Sequence, residues 1–277
     1  MSALALSYAL PLRSREPDVE LREVPRRSPR RRHMQFATAV VTGAAGGIGR
    51  ALAARVSSAA SRLVLADTDA LALADTATEL GASAVPTDVS DPRAMDALAA
   101  AAPDAELVCL NAGILGTAMG PPWEVSPEEW SSVFAVNVGG VVNGLRAFVP
   151  RLLAARRPAH ILITASLAGL ATFPGGGAYG ASKHAVMAVA EQAALALADT
   201  AVGVTVLCPA LVRTAMSPVG SDPADVADEA LAAVAEGRFV VVPGEWRAAV
   251  VQRAERLATG QPPLPPVPGD GQRGRTG

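Results

Sequence analysis

The sequence predicts an α/β fold: a doubly wound, seven-stranded parallel sheet with helices on both faces. Two observations carry this. Short apolar runs alternate with longer segments of helical period from residue 36 to residue 258, and strands joined by crossover helices build parallel sheets covered on both sides. Half of the residues are hydrophobic and only 4% are aromatic, which suits an aliphatic core. A chain of 277 residues buries one sizeable core. No linker-like stretch interrupts it, so residues 34–258 read as one domain.

The first run, residues 37–42, ends in a glycine-rich turn, and residues 47–57 follow with helical spacing. Residues 63–66 read as the second strand, followed by a helix from about 70 to 80. A short third strand at 82–86 precedes a helix at 92–101, and residues 107–110 form the fourth strand. Ser126-Pro127-Glu128-Glu129 has the form of a capping box with Pro at the first helical position. It opens one long helix to about residue 153. The fifth strand is 161–164, the next helix 179–198 and the sixth strand 204–207. Asp222-Pro223 starts a helix to 235, residues 239–242 give a seventh strand, and 245–257 a final helix.

The flanks differ in composition. Residues 1–33 carry eight Arg against four acids and end in Arg30-Arg31-Arg32-His33, whereas the remainder carries 16 basic and 22 acidic residues. The expected reading of 1–33 is a disordered basic extension upstream of a true start at Met34. A basic arm for nucleic acid or membrane is a lesser alternative. A paired-arginine export signal is set aside, because the apolar stretch after it runs straight into the glycine turn. Residues 259–277 are rich in Pro and Gly and are expected to be a disordered tail. The acidic remainder does not suit nucleic acid, and no run is expected to reach membrane-spanning length. Cys109 and Cys208 sit inside apolar runs and suggest buried thiols in a reducing, cytoplasmic setting. Arg outnumbers Lys 23 to 1, which points to a GC-rich, bacterial source.

In doubly wound sheets of the Rossmann type, ligands bind beyond the carboxyl ends of the strands. After the first strand comes Thr42-Gly43-Ala44-Ala45-Gly46-Gly47-Ile48-Gly49. Gly43, Gly47, Ile48 and Gly49 form a turn into a helix N-terminus, which suits a pyrophosphate. Asp67 after the second strand can accept from ribose hydroxyls and would repel a 2′-phosphate, so NAD is favoured over NADP. Asp67 or Asp69 could equally serve as a helix N-cap. Asp88-Val89 and Asn111-Ala112-Gly113 follow the third and fourth strands, small or polar where an adenine or ribose edge would lie. Tyr179 and Lys183 lie four apart on one helix face, where the cation is expected to lower the phenol's pKa. Lys183 is the only lysine in the chain. His33, His160 and His184 lack metal-ligand spacing, and no metal is expected.

Taken together, these motifs resemble the short-chain dehydrogenase/reductase family over nearly all of residues 36–244. Thr42–Gly49 fits T-G-x-x-x-G-x-G, Asn111-Ala112-Gly113 the N-A-G motif, and Asn137 the mid-chain asparagine. Ser166 stands thirteen residues before Tyr179, and Tyr179 and Lys183 supply Y-x-x-x-K. The resemblance implies an NAD(P)-dependent oxidoreductase interconverting a secondary alcohol and a ketone. Tyr179 would be general acid/base, Ser166 a donor to the substrate oxygen, and Lys183 a ligand of the nicotinamide ribose. Asn137 would hold a water linking Lys183 to solvent, and Val212 and Thr214 would meet the carboxamide. Ala210 stands where the family often has glycine, which puts the local turn in doubt. An epimerase or dehydratase on the same scaffold, or a non-catalytic dinucleotide-binding protein, are the alternatives. Residues 114–123, 167–177 and 215–221 are expected to wall the substrate; they offer Leu115, Met119, Leu170, Phe173 and Met216 to a small apolar alcohol or ketone. The apolar helices from Ser126 and Tyr179 suggest a homodimer or homotetramer.

Overall fold

The structure, a computed structural model, describes residues 35–269; the extension read at 1–33 and the tail residues 270–277 lie outside them. Its strands are β1 (Phe36–Thr42), β2 (Ala60–Asp67), β3 (Ser83–Pro86), β4 (Ala105–Leu110), β5 (Ala159–Thr164), β6 (Val202–Leu207) and β7 (Val240–Val241). They form one parallel sheet in the order β3-β2-β1-β4-β5-β6-β7. The helices are α1 (Gly47–Val56), α2 (Ala70–Leu80), α3 (Pro92–Ala101), α4 (Pro127–Phe134), α5 (Gly140–Ala155), α6 (Gly177–Leu197), α7 (Pro223–Glu236) and α8 (Arg247–Ala258). Strand order reverses between β1 and β4, so the switch point opens between the turn after Thr42 and the residues after Leu110.

Both faces of the sheet are buried, which is why the strands read as continuous apolar runs. Val40, Val108, Ile161 and Ile163 point to one side, against Met95, Leu98, Phe148 and Val186 of α3, α5 and α6. Their neighbours Ala39, Val41, Leu107, Cys109 and Leu162 point to the other, against Leu52, Leu73 and Ala230 of α1, α2 and α7. The alternation is the strand's period of two. Strand β2 starts three residues earlier than the apolar run because Ser61 and Arg62 extend the ladder while exposed.

Helix starts follow their caps. Asp69 accepts from Ala72 N, Asp91 from Arg93 N ahead of Pro92, and Asp222 from Ala224 N ahead of Pro223. The long helix expected from Ser126 runs from Pro127 to Ala155, with a π turn at Ala135–Gly139 between α4 and α5. Glycines permit the close packing there: a Cβ on Gly140 would lie 2.6 Å from Val89 Cγ2. Pro127–Ala155 is a 29-residue helix with an 18-residue stretch of mean hydropathy 1.4, long and apolar enough to span a membrane, contrary to expectation. In the fold its apolar side is taken up by α3, β4 and α6 instead. Part of the tail expected to be disordered is tied down: Arg256 Nε donates to Pro262 O at 2.7 Å, and Gly269 N to Glu245 O at 2.7 Å.

One half-buried group ties stability to pH. Thr205 Oγ1 gives its hydrogen to Arg238 O (2.7 Å), so it must accept from His160 Nε2 (2.8 Å), leaving Nδ1 bare. A Cβ on Gly203 would sit 2.5 Å from that Nδ1. Burial pushes the His160 pKa down from 6.5 to about 4. Between those values the unfolded chain binds the proton and the folded chain does not. Stability is therefore full above pH 6.5 and falls toward pH 4, by up to about 3 kcal/mol. Melting temperatures from pH 7 to 4.5 should drop less in His160→Gln than in the wild type. Parallel curves would clear His160 of the effect.

Candidate active site

The cleft is stitched at the carboxyl ends of β1, β4 and β5. Thr42 Oγ1 accepts from Asn111 N (2.9 Å) and Ala112 N (3.1 Å) and donates to Cys109 O (3.2 Å). Asn111 Nδ2 returns to Thr42 O at 3.1 Å, and Thr164 Oγ1 donates to Asn111 Oδ1 at 3.0 Å. This holds Asn111-Ala112-Gly113 against the glycine turn. Gly43 has φ +69°, and a Cβ there would lie 2.9 Å from Ala112 Cα. At Gly47 (φ +53°) a Cβ would lie 2.9 Å from Thr214 Cγ2, so the segment after β6 crosses over the same turn. Ile48 and Gly49 begin α1, whose N-cap Gly46 offers no side chain and whose first turn has no acid. α2, α3, α4 and α7 satisfy a first-turn amide with Asp or Ser, whereas α1 has no such cap and its first amides are left for an anion. A dinucleotide pyrophosphate fits this cradle.

Asp67 accepts from Ala45 N at 3.0 Å and from Asp69 N at 3.1 Å, which fixes its carboxylate beside the turn. The N-cap of α2 is Asp69. Asp88 is exposed and caps Ser90. Val89 has its side chain buried in the core against Gly140 and its carbonyl accepts from Asn143, so a ligand would meet its backbone. Val212 is buried, pairing with Ser221. Ala210 adopts its turn without a positive φ, so the missing glycine has no conformational cost.

Ser166, Tyr179 and Lys183 converge from β5 and α6. Ser166 is buried, and its Oγ accepts from Ala168 N at 3.1 Å, which leaves the hydroxyl hydrogen to donate. That hydroxyl faces the Tyr179 phenol closely enough to hold its pKa down. Lys183 is 4% exposed; its Nζ donates to Thr164 O at 3.1 Å and stands 5.7 Å from the Tyr179 ring centre. Desolvation pulls its pKa down to about 8. Burial also raises the Tyr179 pKa above 10, and the opposing influence is the Ser166 hydrogen bond. The expected lowering of the phenol by Lys183 is thus reversed: dry surroundings outweigh an ammonium whose hydrogen bond goes to a backbone carbonyl.

Asn137 sits in the π turn and is 1% exposed. Its amide accepts from Ile114 N (2.8 Å) and donates to Ile114 O (2.9 Å) and Ser182 Oγ (3.0 Å). Both hydrogens of the side-chain amide are used, and the side chain pins the segment after β4 to α6. Gly113 lets this happen, since a Cβ there would lie 3.0 Å from Asn137 Oδ1 and 3.3 Å from Lys183 Nζ.

Two residues were not read from the sequence. Thr164 holds both Asn111 and Lys183, and its only signal was its place as the last residue of β5. Trp246, from the turn before α8, packs edge-on against Phe173 with ring centres 5.7 Å apart. It adds a C-terminal contact to the loop between Ser166 and Tyr179, which no local motif announces.

The short chain dehydrogenase family model matches residues 37–223. The chain belongs to this family. As a short-chain dehydrogenase it is an NAD(P)-dependent oxidoreductase acting on CH–OH groups. It is 47% identical over 193 residues to a 1-deoxy-11-beta-hydroxypentalenate dehydrogenase of Streptomyces exfoliatus, covering 66% of this chain and 70% of that one. It is 31% identical over 188 residues to an (S)-acetoin-forming diacetyl reductase of Staphylococcus epidermidis, covering 65% and 72%. Among solved structures, a short-chain dehydrogenase/reductase of Burkholderia phymatum in complex with NAD superposes with TM-score 0.79 at 35% identity, over 85% of this chain and 99% of that one. A metagenomic short-chain oxidoreductase in complex with NADP gives 0.67 at 32% identity, over 76% and 98%.

Proposed function

We propose that this short-chain dehydrogenase interconverts an apolar secondary alcohol and its ketone, with Tyr179 as general acid/base. The observation that carries the reading is the chain's only lysine, buried with its Nζ at 3.1 Å from Thr164 O and 5.7 Å from the Tyr179 ring centre, while Ser166 faces the same phenol. Such a group has no structural need to be an ammonium. Ser166 and Tyr179 together address one substrate oxygen: the serine hydroxyl donates and the phenol gives or takes the proton. Lys183 lies behind the phenol, in reach of a ribose. Asn137 holds the wall between them. A bound nicotinamide ring supplies the hydride acceptor. Gly43, Gly47 and Gly49 would cradle its pyrophosphate.

NAD is the favoured cofactor. Asp67 places a fixed carboxylate where an adenosine ribose would lie, and Arg50, the cation nearest in sequence to that turn, is paired with Glu79. The exposed Met119 and Met216 on the loops beside the site favour an apolar substrate. By its printed name the Streptomyces relative acts on a hydroxylated carboxylate, so the test panel includes hydroxy acids beside neutral cyclic alcohols and ketones. Absorbance at the nicotinamide band, with NAD and NADP separately, should show faster turnover with NAD and neutral substrates. Turnover with NADP alone would sink the cofactor assignment.

The same reading makes the protein a cytoplasmic homo-oligomer. Leu195 on α6 is 78% exposed, and Leu153 on α5 is 41% exposed. A groove of about 660 Å³, lined by Leu195, Leu197, Val202 and Phe239, opens at the amino end of β6. That is the wrong end of the sheet for the chemistry and suits a second copy. A monomer mass by light scattering would overturn this.

A further inference from the structure

We propose that Glu129 is a positioning residue for substrate: from the start of α4, its carboxylate holds the loop after β4 in the shape that walls the site. The proposal rests on the Tyr179 reading above. A capping box would send the Glu129 carboxylate back to its own helix cap. Only half of that box is made, with Ser126 Oγ accepting from Glu129 N at 3.2 Å. The carboxylate turns away to the neighbouring loop. It accepts from Thr117 N, from Thr117 Oγ1 at 3.0 Å and from Ala118 N at 3.3 Å. Three donors on two successive residues make this a clamp rather than a single contact.

The loop is shaped to receive it. Gly116 has φ +87°, and a Cβ there would overlap the Glu129 carboxylate and lie 2.9 Å from Val133 Cγ2. Two residues beyond the clamp, Gly120 N donates to Gly175 O at 2.9 Å, and Gly120 pairs in parallel with Gly176. Gly177, with φ +47°, then opens α6 two residues before Tyr179. Met119 stands between the two anchored points, with 54% of its surface exposed. The carboxylate thus fixes one side of the Met119 backbone, and the pairing that leads to Tyr179 fixes the other. Glu129 lies outside the apolar core and touches none of Ser166, Tyr179 or Lys183, so its effect falls on substrate placement rather than on the chemical step.

The test compares Glu129→Ala, Glu129→Gln and, as control, Glu128→Ala, the adjacent carboxylate in the same helical turn. Each is measured for melting temperature, NADH affinity by fluorescence, kcat and KM on the best substrate from the panel, and amide hydrogen exchange at Thr117 and Ala118. Glu129→Ala should raise KM about tenfold or more, leave NADH affinity unchanged and lose amide protection at both residues. Glu129→Gln keeps one acceptor oxygen and should fall between. Glu128→Ala should match the wild type. An unchanged KM with lost protection overturns the proposal, as does an equal effect from Glu128→Ala, which would make it a helix-end charge effect. Retained protection in Glu129→Ala also overturns it. Amide exchange needs no turnover, so failure of the Tyr179 reading would be seen separately, as wild-type rates in Tyr179→Phe.

Discussion

Tyr179→Phe should lower kcat by about 10²-fold to 10⁴-fold, the range that a positioned general acid/base contributes, with NADH affinity unchanged. The substitution removes one oxygen and leaves the ring that packs over Lys183 at 5.7 Å. The loss is therefore assignable to proton transfer rather than to collapse of the site. Burial, which raises the phenol above its ordinary 10, gives the prediction a sign in pH. At neutrality the group is held as the acid, ready to protonate a developing alkoxide during ketone reduction. Alcohol oxidation needs the phenolate, so its rate in the wild type should climb as pH rises. The residual rate of Tyr179→Phe should lack that climb. Turnover like the wild type's, or an unchanged pH profile, would remove Tyr179 from the mechanism.

The parts of the fold that were legible in the sequence are those with a local cause. Continuous apolar runs announce strands buried on both faces, and Asp91-Pro92 and Asp222-Pro223 announce helix starts. Family-like spacing also marked Ser166, Tyr179 and Lys183, which the fold brings together from β5 and α6. What escaped is decided by neighbours remote in sequence. The π turn at Asn137 arises because Asn137 bonds Ile114 and Ser182, 23 and 45 residues away. The sequence pattern around it is that of an ordinary helix. Likewise Ser126 and Glu129 spell a capping box, yet the loop at Thr117 offers the carboxylate more donors than its own cap does. The direction of the Tyr179 pKa failed for a related reason. A charge four residues away is visible in sequence, whereas burial of both partners is a property of the packed sheet and can outweigh it.

Gly49→Ala should weaken NADH binding at least about tenfold, roughly 1.4 kcal/mol, and lower the melting temperature, although alanine is the better helix former. In an unobstructed helix the exchange would stabilise by about 0.5–1 kcal/mol. Here the new Cβ would lie 2.6 Å from the Gly43 carbonyl carbon and 2.7 Å from Asn111 Nδ2. Overpacking of this kind costs about 1–3 kcal/mol, and the nearer obstruction is the Gly43 backbone, which cannot swing aside as a flexible side chain does. The glycine turn must move, and Asn111 with it. Asn111 is bonded to Thr42 O and Thr164 Oγ1, and Thr164 O receives Lys183 Nζ, so the displacement reaches Lys183 as well as the cradle. Gly46→Ala supplies the contrast within the same turn. Gly46 is extended at φ −164°, and a Cβ there meets nothing within 4 Å. It should bind NADH as the wild type does. Equal affinity for the two variants would mean that the close approach at Gly49 is not what shapes the cofactor site.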